Sequence, residues 1–315
     1  MIEKFTRLIS YLHRGTLLDR IQSELRERNQ KRRHMRWNAL KGRREYFEAG
    51  IGHGIRMRLH FDSELARLIY CDDFEGNERR FLKAFLRAGD VFVDVGANIG
   101  LFSLIAADRV GTLGTVYAFE PCRKTFQRLV ENTELNHFRN IQCFRLALSD
   151  ERGESPFYAS EDGFDAWNSF APPIQGKSFS KEMIPCETWD RFAHTHDLVG
   201  RVTMMKIDVE GWESRVLKGA RESFSREDAP LLQVEFTDKT AASAGSSCME
   251  LYHTLRDFGY HLFTYNPRRR ELIHEPLCDR YPYVNLIAAK RIGEVNLRLG
   301  KSITSGKPAG STRQC

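Results

Sequence analysis

The sequence predicts an α/β protein, a mostly parallel sheet with helices on both faces, preceded by an N-terminal helical arm. Three observations carry this. From residue 91 onward, short apolar runs alternate with segments of helical periodicity, the pattern of strand–helix–strand units. The apolar runs are continuous, as in strands buried on both faces. The basic charge is concentrated before residue 51, so arm and body differ in kind.

Ile2, Phe5, Ile9 and Leu12, and then Leu18, Ile21 and Leu25, fall at three-to-four spacing, so residues 2–28 read as amphipathic helix, interrupted at Gly15. The run Lys31-Arg32-Arg33-His34-Met35-Arg36-Trp37 follows. It reads either as a contact with an anionic membrane surface or nucleic acid, or as a solvated helix whose apolar side packs on the body or a second subunit. Ile55, Met57, Leu59 and Phe61 alternate with polar residues as in a half-buried strand. A helix from about Glu78 to Arg87 ends at Gly89, a C-terminal cap. Strands are expected at 91–95, 115–119, 141–146, 202–207, 231–236, 261–265 and 284–289. Helices are expected at 101–109, 123–136, 213–223 and 249–258. Residues 151–200 break the alternation and are rich in Ser, Gly, Pro and aromatics, suggesting an inserted lid or substrate pocket. Residues 293–315 read as a disordered tail. The expected division is arm 1–50, body 51–292 and tail 293–315.

Residues 1–50 hold 13 Lys/Arg against 6 Asp/Glu, a net of +7, while the whole chain of 315 residues carries +6, leaving −1 for the rest. A nearly neutral body argues against a nucleic-acid groove across it. No apolar run reaches the roughly 18 residues that span a bilayer. Charges at Glu3, Lys4 and Arg7 come too early for a secretory signal. The seven cysteines include no Cys-x-x-Cys pair, so neither a zinc knuckle nor a disulfide framework is indicated. A cytoplasmic protein, soluble or peripheral to a membrane, is expected.

The segment Asp94-Val-Gly-Ala-Asn-Ile-Gly100 stands where the first strand of the alternating series turns into a helix, the place where such sheets bind ligands. Gly96 and Gly100 are expected to let the backbone approach the ligand. The middle glycine of a nicotinamide fingerprint is missing, and Asp94 would repel a pyrophosphate. A carboxylate there suits instead the positive amino and sulfonium groups of S-adenosylmethionine. Glu120, at the end of the next strand, can accept both ribose hydroxyls. Asp150, past the third strand, is placed to meet the adenine amino group. Asp94, Gly96, Asn98, Gly100, Glu120 and Asp150 are thus the expected cofactor-binding residues. The alternative for each acid is a cap on the following helix.

At this point the sequence resembles the FkbM family of methyltransferases. The resemblance rests on Asp94–Gly100, on Glu120-Pro121, and on Lys206-Ile-Asp-Val-Glu-Gly-Trp-Glu213 followed by Val216-Leu-Lys-Gly219. It covers roughly residues 55–290. It implies a class I methyltransferase (Rossmann-like) fold and O-methylation of sugars, glycolipids or polyketide-type products, while leaving the acceptor open.

Methyl transfer from a sulfonium is a direct displacement, so alignment supplies much of the acceleration, and the acceptor hydroxyl must lose a proton. Asp208 and Glu210 stand two apart at the end of the fourth strand, on one face if the strand continues. They are the expected catalytic pair; the alternative is that Asp208 pairs with Lys206 and Glu210 caps the next helix. Glu235 and Asp238 could join Asp208 around a divalent cation, but carboxylates from two strand ends are no metal motif and no metal site is assigned. His194 and His196 are further candidate bases, and Trp167-Asn168-Ser169 a candidate acceptor contact. Three rivals remain. A nicotinamide oxidoreductase is disfavoured by the glycine spacing. A nucleic-acid methyltransferase using the basic arm is disfavoured because Asp208-Val-Glu-Gly stands where base-amine enzymes place Asn/Asp-Pro-Pro-aromatic. A non-catalytic scaffold would need an empty cofactor site. A small-molecule or glycan acceptor is the expected partner, with membrane contact or a homodimer through residues 1–45.

Overall fold

The computed structural model describes residues 17–160, 170 and 179–301, with backbone alone for 17–23. The chain begins with helix α1 (Leu17–Leu40) and the hairpin β1 (Tyr46–Gly52) and β2 (Ile55–His60), then α2 (Glu64–Cys71) and α3 (Gly76–Phe85). The alternating series follows: β3 (Val91–Val95), α4 (Leu101–Val110), β4 (Thr115–Phe119), α5 (Arg123–Leu135) and β5 (Ile141–Phe144). Next come β6 (Ala147–Leu148), β7 (Gly153–Ser160), β8 (Phe179–Glu187) and α6 (Trp189–Thr195). Then β9 (Met204–Ile207), α7 (Glu213–Lys218), α8 (Arg221–Ser225), β10 (Leu231–Phe236), α9 (Asp238–Ser243) and α10 (Cys248–Asp257). The series closes with β11 (His261–Asn266), β12 (Glu271–His274), β13 (Val284–Ala289) and α11 (Ile292–Arg298).

The main sheet has eight strands in the order β12-β11-β13-β10-β9-β3-β4-β5. The five from β10 to β5 run parallel, and β13, β11 and β12 are antiparallel additions. Successive residues of one strand serve opposite faces, as the pleat requires. Val93 and Val95 join the core with Trp189, Phe192, Leu217 and Leu251. Phe92 packs on the other side with Leu82, Leu104 and Trp37. This is the α/β architecture expected. Strand β3 pairs with β4 on one side and β9 on the other, so the connections diverge there and open a crevice at the strands' carboxyl ends.

Three expected boundaries move. A cut at residue 50 would fall inside the β1–β2 hairpin, where Glu48 faces Arg58 and Ala49 faces Met57. Helix α1 includes the basic run rather than preceding it, and its Trp37 is 1% exposed, packed on Phe61 at 4.7 Å and Phe47 at 5.7 Å. Polar contacts hold the rest of its inner side: Arg33 Nη1 donates to the Tyr70 carbonyl at 2.9 Å and Gln30 Nε2 to Asp73 Oδ1 at 2.6 Å. Leu25, the last residue of the expected apolar stripe, and Met35 are exposed. The expected tail begins with ordered structure, because Val295 and Leu299 are buried and Arg298 Nη1 donates to Asp90 Oδ2 at 2.6 Å. The first turns of the expected arm helix with Gly15, and residues 302–315, lie outside the described residues.

Within 151–200, β7 and β8 pair antiparallel and with β6 form a separate three-stranded sheet. The same stretch supplies α6, whose Trp189 and Phe192 enter the main core. Among the described residues no helix is long and apolar enough to cross a membrane.

Candidate active site

A cavity of about 610 Å³ opens along the carboxyl ends of β3, β4, β9 and β10. Its walls include Asp94–Ile99, Glu120, Ala147, Leu148, Phe157, Phe170, Lys206, Asp208–Glu210, Glu235 and, from the chain ahead of the sheet, Phe74, Glu75 and Glu78.

Asp94, the next-to-last residue of β3, is 1% exposed. Its Oδ2 accepts from Ser103 Oγ at 2.6 Å, while Oδ1 has no partner among the described residues. Burial pushes its pKa up, and Lys206 and Ser103 offset only part of that. A buried carboxylate oxygen without a donor is costly, and a positive group in the cavity would satisfy it. The site therefore fits a sulfonium- and ammonium-bearing cofactor.

The two glycines act differently from the expectation. Gly96 (φ +83°) and Gly100 (φ +94°) adopt left-handed backbone, but the space beside each is filled by protein. A Cβ on Gly96 would stand 1.8 Å from the Asp208 carbonyl oxygen, and one on Gly100 2.8 Å from Leu129 Cδ1. They allow the turn to pack against the chain after β9 and against α5, which shapes the cavity from behind. Asn98 is also left-handed (φ 48°), and its N–H donates to Glu120 Oε2 at 2.9 Å. Glu120 Oε1 accepts from the Cys122 N–H at 2.9 Å and Thr125 Oγ1 at 2.7 Å. Glu120 thus lines the cavity and ties the glycine turn to the start of α5, the contact that the capping alternative expects.

Asp150 does not join them. It receives Arg215 Nη1 at 2.9 Å and Ser149 Oγ at 3.0 Å and is absent from the cavity wall, where Ala147 and Leu148 stand instead. Past the two-residue β6 the chain turns toward α7, so the acid belongs to an ion pair.

Lys206 on β9 is 3% exposed; its Nζ lies 2.5 Å from Asp208 Oδ2 and 4.8 Å from the Phe102 ring centre. Burial would lower its pKa, but Asp208, Glu75 and Asp94 keep it charged. Burial would raise that of Asp208, and Lys206 holds it low instead. The expected Lys206–Asp208 pair is therefore present within the site. Strand β9 ends at Ile207, and Glu210 takes a left-handed conformation (φ 52°). Asp208 and Glu210 are nevertheless gathered, because the turn folds back. Oxygens of Asp208, Glu210 and Glu235 lie within 4.8 Å of one another. Glu213, not Glu210, closes the turn, its Oε1 accepting from the N–H groups of Val209 at 3.0 Å and Gly211 at 3.2 Å.

Of the three carboxylates weighed around a cation, Asp238 is elsewhere: its Oδ2 accepts the Tyr281 N–H at 2.7 Å. Glu210 takes its place in the cluster. His194 is bound to Glu222 at 3.0 Å and His196 stacks on Phe192 at 3.9 Å; neither lines the cavity. Trp167-Asn168-Ser169 lies outside the described residues. The sequence reading missed Glu75, Glu78 and Tyr283, which line the wall facing Lys206. Glu75 Oε1 accepts from Tyr283 Oη at 2.8 Å and Asn285 Nδ2 at 3.1 Å, and its backbone is left-handed (φ 42°). Two glutamates in Asp73-Phe-Glu-Gly-Asn-Glu78, at the cap and in the first turn of α3, were the available signal.

This crowding has a pH signature. Burial and neighbouring carboxylates push Glu75 and Glu213 from 4.5 up to about 7, and Glu210 and Glu235 well above 4.5. Between pH 4.5 and 7 the folded chain then holds protons that the unfolded chain has released. Stability contributed by these groups is complete below 4.5 and lost as pH rises through the folded values. Scanning calorimetry without cofactor should show Tm falling from pH 5 to pH 8, with a shallower fall in Glu235→Gln. A Tm that rises over this range would contradict the account.

Residues 94–262, more than half of the chain, match the methyltransferase FkbM domain. Methyltransferase 1 of Beauveria bassiana is 31% identical over 146 residues, 40% of this chain and 57% of that protein. Hexuronic acid methyltransferase AglP of Haloferax volcanii is 29% identical over 170 residues, 53% of this chain and 65% of that protein. The 31-O-demethyl-FK506 methyltransferase FkbM of Streptomyces tacrolimicus is 39% identical over 97 residues, 30% of this chain and 35% of that protein. The chain thus spans less than two thirds of the length of each. The matched region contains the glycine turn, Glu120 and the Lys206–Glu213 segment, and the chain belongs to the FkbM family of S-adenosylmethionine-dependent methyltransferases.

Proposed function

We propose that the chain transfers the methyl group of S-adenosylmethionine to a hydroxyl of a sugar, glycolipid or polyketide-type small molecule. The observation that carries this is the partnerless Asp94 Oδ1 in a cavity that continues to the carboxylates after β9 and β10. The names of two relatives, one a hexuronic acid methyltransferase and one acting on a demethyl-FK506, support a hydroxyl-bearing small molecule. Bound S-adenosylmethionine supplies an electrophilic methyl carbon. Asp94 and Glu120 hold and orient that group, Asn98 and the two glycines shape its cradle, and Lys206 keeps Asp208 ionised. Asp208 and Glu210 orient the acceptor hydroxyl and draw on its proton. Residues 1–45 are kept as a peripheral attachment segment or self-association surface, supported by exposed Lys31, Arg32, Arg36, Leu25 and Met35.

Calorimetric titration and a methylation assay over glycosides and macrolide polyols test the reading together. Asp94→Ala should weaken S-adenosylmethionine binding by roughly 10- to 100-fold, the scale of a lost charge-assisted contact. Asp208→Asn and Glu210→Gln should keep cofactor affinity within about threefold and lose turnover, as expected for contacts made in the transition state. Unchanged affinity in Asp94→Ala, or wild-type turnover in both other variants, would sink the assignment.

A further inference from the structure

The arginines of helix α1 divide into two sets. Two reach back to the body: Arg26 Nη2 donates to the Asp72 carbonyl at 3.2 Å and Arg33 Nη1 to that of Tyr70 at 2.9 Å. Arg28, Arg32 and Arg36 are exposed, and no hydrogen bond or ion pair engages them among the described residues. Four residues apart, they stand on one face, where like charges work against the helix unless an anion lies across them. Residues 24–44 hold nine Lys/Arg against two acids, Glu24 and Glu27. Of these two, Glu27 is taken by Lys31 at 3.0 Å.

Asn29, Arg32, Arg33 and Arg36 line a groove of about 540 Å³ against Phe47 of β1 and Tyr70 of α2. Among the described residues Glu48 is the one acid in its lining, and Arg56 at 2.5 Å and Arg58 at 3.3 Å already hold it. The groove is therefore electropositive and suits a phosphate group, which guanidinium forks bind in a bidentate way. Leu25 and Met35, 54% and 65% exposed, fall on the same face as Arg28 and Arg32 at 3.6 residues per turn. In the sequence Leu18 and Ile21 precede Leu25 at three-to-four spacing. Binding at a lipid interface draws on both contributions, buried apolar area and the attraction of basic side chains to anionic headgroups.

We infer that this face docks on an anionic phospholipid surface, with its arginines on the headgroup phosphates and Leu25 and Met35 in the acyl boundary. A nucleic acid would satisfy the arginines but leave both apolar side chains in water. A second copy joined through the same patch about a two-fold axis would set like charges against each other. Helix α2, which gives Tyr70 to the groove, also sends Leu65 and Leu68 into the wall of the active-site cavity. A single helix thus links the docked surface to the cavity, which favours the glycolipid among the acceptor classes above; this choice of acceptor rests on the methyltransferase reading, and the docking itself does not.

The test is co-sedimentation of the full-length protein with vesicles of phosphatidylcholine alone and of phosphatidylcholine mixed with phosphatidylglycerol. A short DNA duplex and inorganic phosphate serve as competing probes. Wild type should bind the anionic vesicles at least roughly tenfold tighter than the neutral ones. The triple variant Arg28→Gln, Arg32→Gln, Arg36→Gln should lose about 100-fold, roughly fivefold for each arginine removed. Leu25→Gln with Met35→Gln should weaken vesicle binding and leave any duplex binding unchanged. If the triple variant fails to fold, the wild-type preference between the two vesicles decides. The inference is overturned if the two vesicles bind alike, if the folded triple variant binds as wild type does, or if the duplex displaces the protein from anionic vesicles. Phosphate binding without vesicle binding, or a dimer in analytical ultracentrifugation that the triple variant abolishes, would overturn it as well. Titration of the same proteins with S-adenosylmethionine, without vesicles, reports the methyltransferase reading separately: the arginine variants should keep wild-type affinity, and a wild type that binds no cofactor refutes that reading and not the docking.

Discussion

Replacing Lys206 with methionine should destabilise the protein by about 3–5 kcal/mol, the cost of stripping one partner from a buried ion pair. Lys206 is 3% exposed, pairs in register with Asp94 across β3 and β9, and holds Asp208 at 2.5 Å. Methionine preserves most of the volume and the contact with Phe102, so the loss reports charge rather than packing. It leaves Asp94 and Asp208 with no buried cation beside them. Since domains of this kind are stable by roughly 5–15 kcal/mol, the variant should approach the limit of folding at 37 °C. Adding Asp208→Asn should recover part of the loss, because neutralising one partner removes a stranded charge, and such neighbours are non-additive. Urea denaturation of the wild type, both single variants and the double variant measures this. A Lys206→Met loss under about 1 kcal/mol would mean that the pair contributes little, and that Asp208 is not held ionised as described.

Trp37→Ala should cost about 3–5 kcal/mol, the range for deleting a fully buried large aromatic. The indole packs against Phe47, Phe61 and Tyr70, which come from β1, the chain after β2, and α2. It is where the N-terminal helix enters the core. Leu25→Ala and Met35→Ala, on the exposed side of the same helix, should change stability by less than about 0.5 kcal/mol. Removal of residues 1–45, which the charge asymmetry alone marks as separable, is accordingly expected to destabilise the body. Thermal denaturation of the three point variants and the truncation decides it. A truncation as stable as the full chain would show that Trp37 fills its pocket without contributing to stability.

The alternating core was legible because its physics is local. A strand such as Val91–Val95 or Leu231–Phe236 is buried on both faces, so burial writes itself as an unbroken apolar run. The helices between carry their own periodicity. The short, half-polar elements were not legible. Helix α6 lies in a segment rich in turn-forming residues, and β7 and β8 expose alternate residues on a small separate sheet. Helix α11 reads as the start of a disordered tail until Val295 and Leu299 find their core partners.

The candidate site divides the same way. Asp94, Glu120, Asp208 and Glu210 were readable because strand–turn–helix connections put strand-end residues at a ligand crevice wherever the series reverses. Asp150 shared that signal yet turned to Arg215, since the side-chain direction after a two-residue strand depends on α7, which is 65 residues away in sequence. Glu75 carried no such signal, because it precedes the series and reaches the cavity only through the packing of α3 against the sheet. The sequence by itself determined the order of the alternating strands and helices, the strand ends that line the cavity, and the family. Tertiary structure alone decided that the basic helix is anchored by Trp37, that Gly96 makes room for the Asp208 carbonyl, and that Asp208, Glu75 and Asp94 gather around Lys206. The reason is physical: periodicity and turn chemistry act over a few residues, whereas ion pairing and close packing depend on which distant segments are brought within a few ångströms.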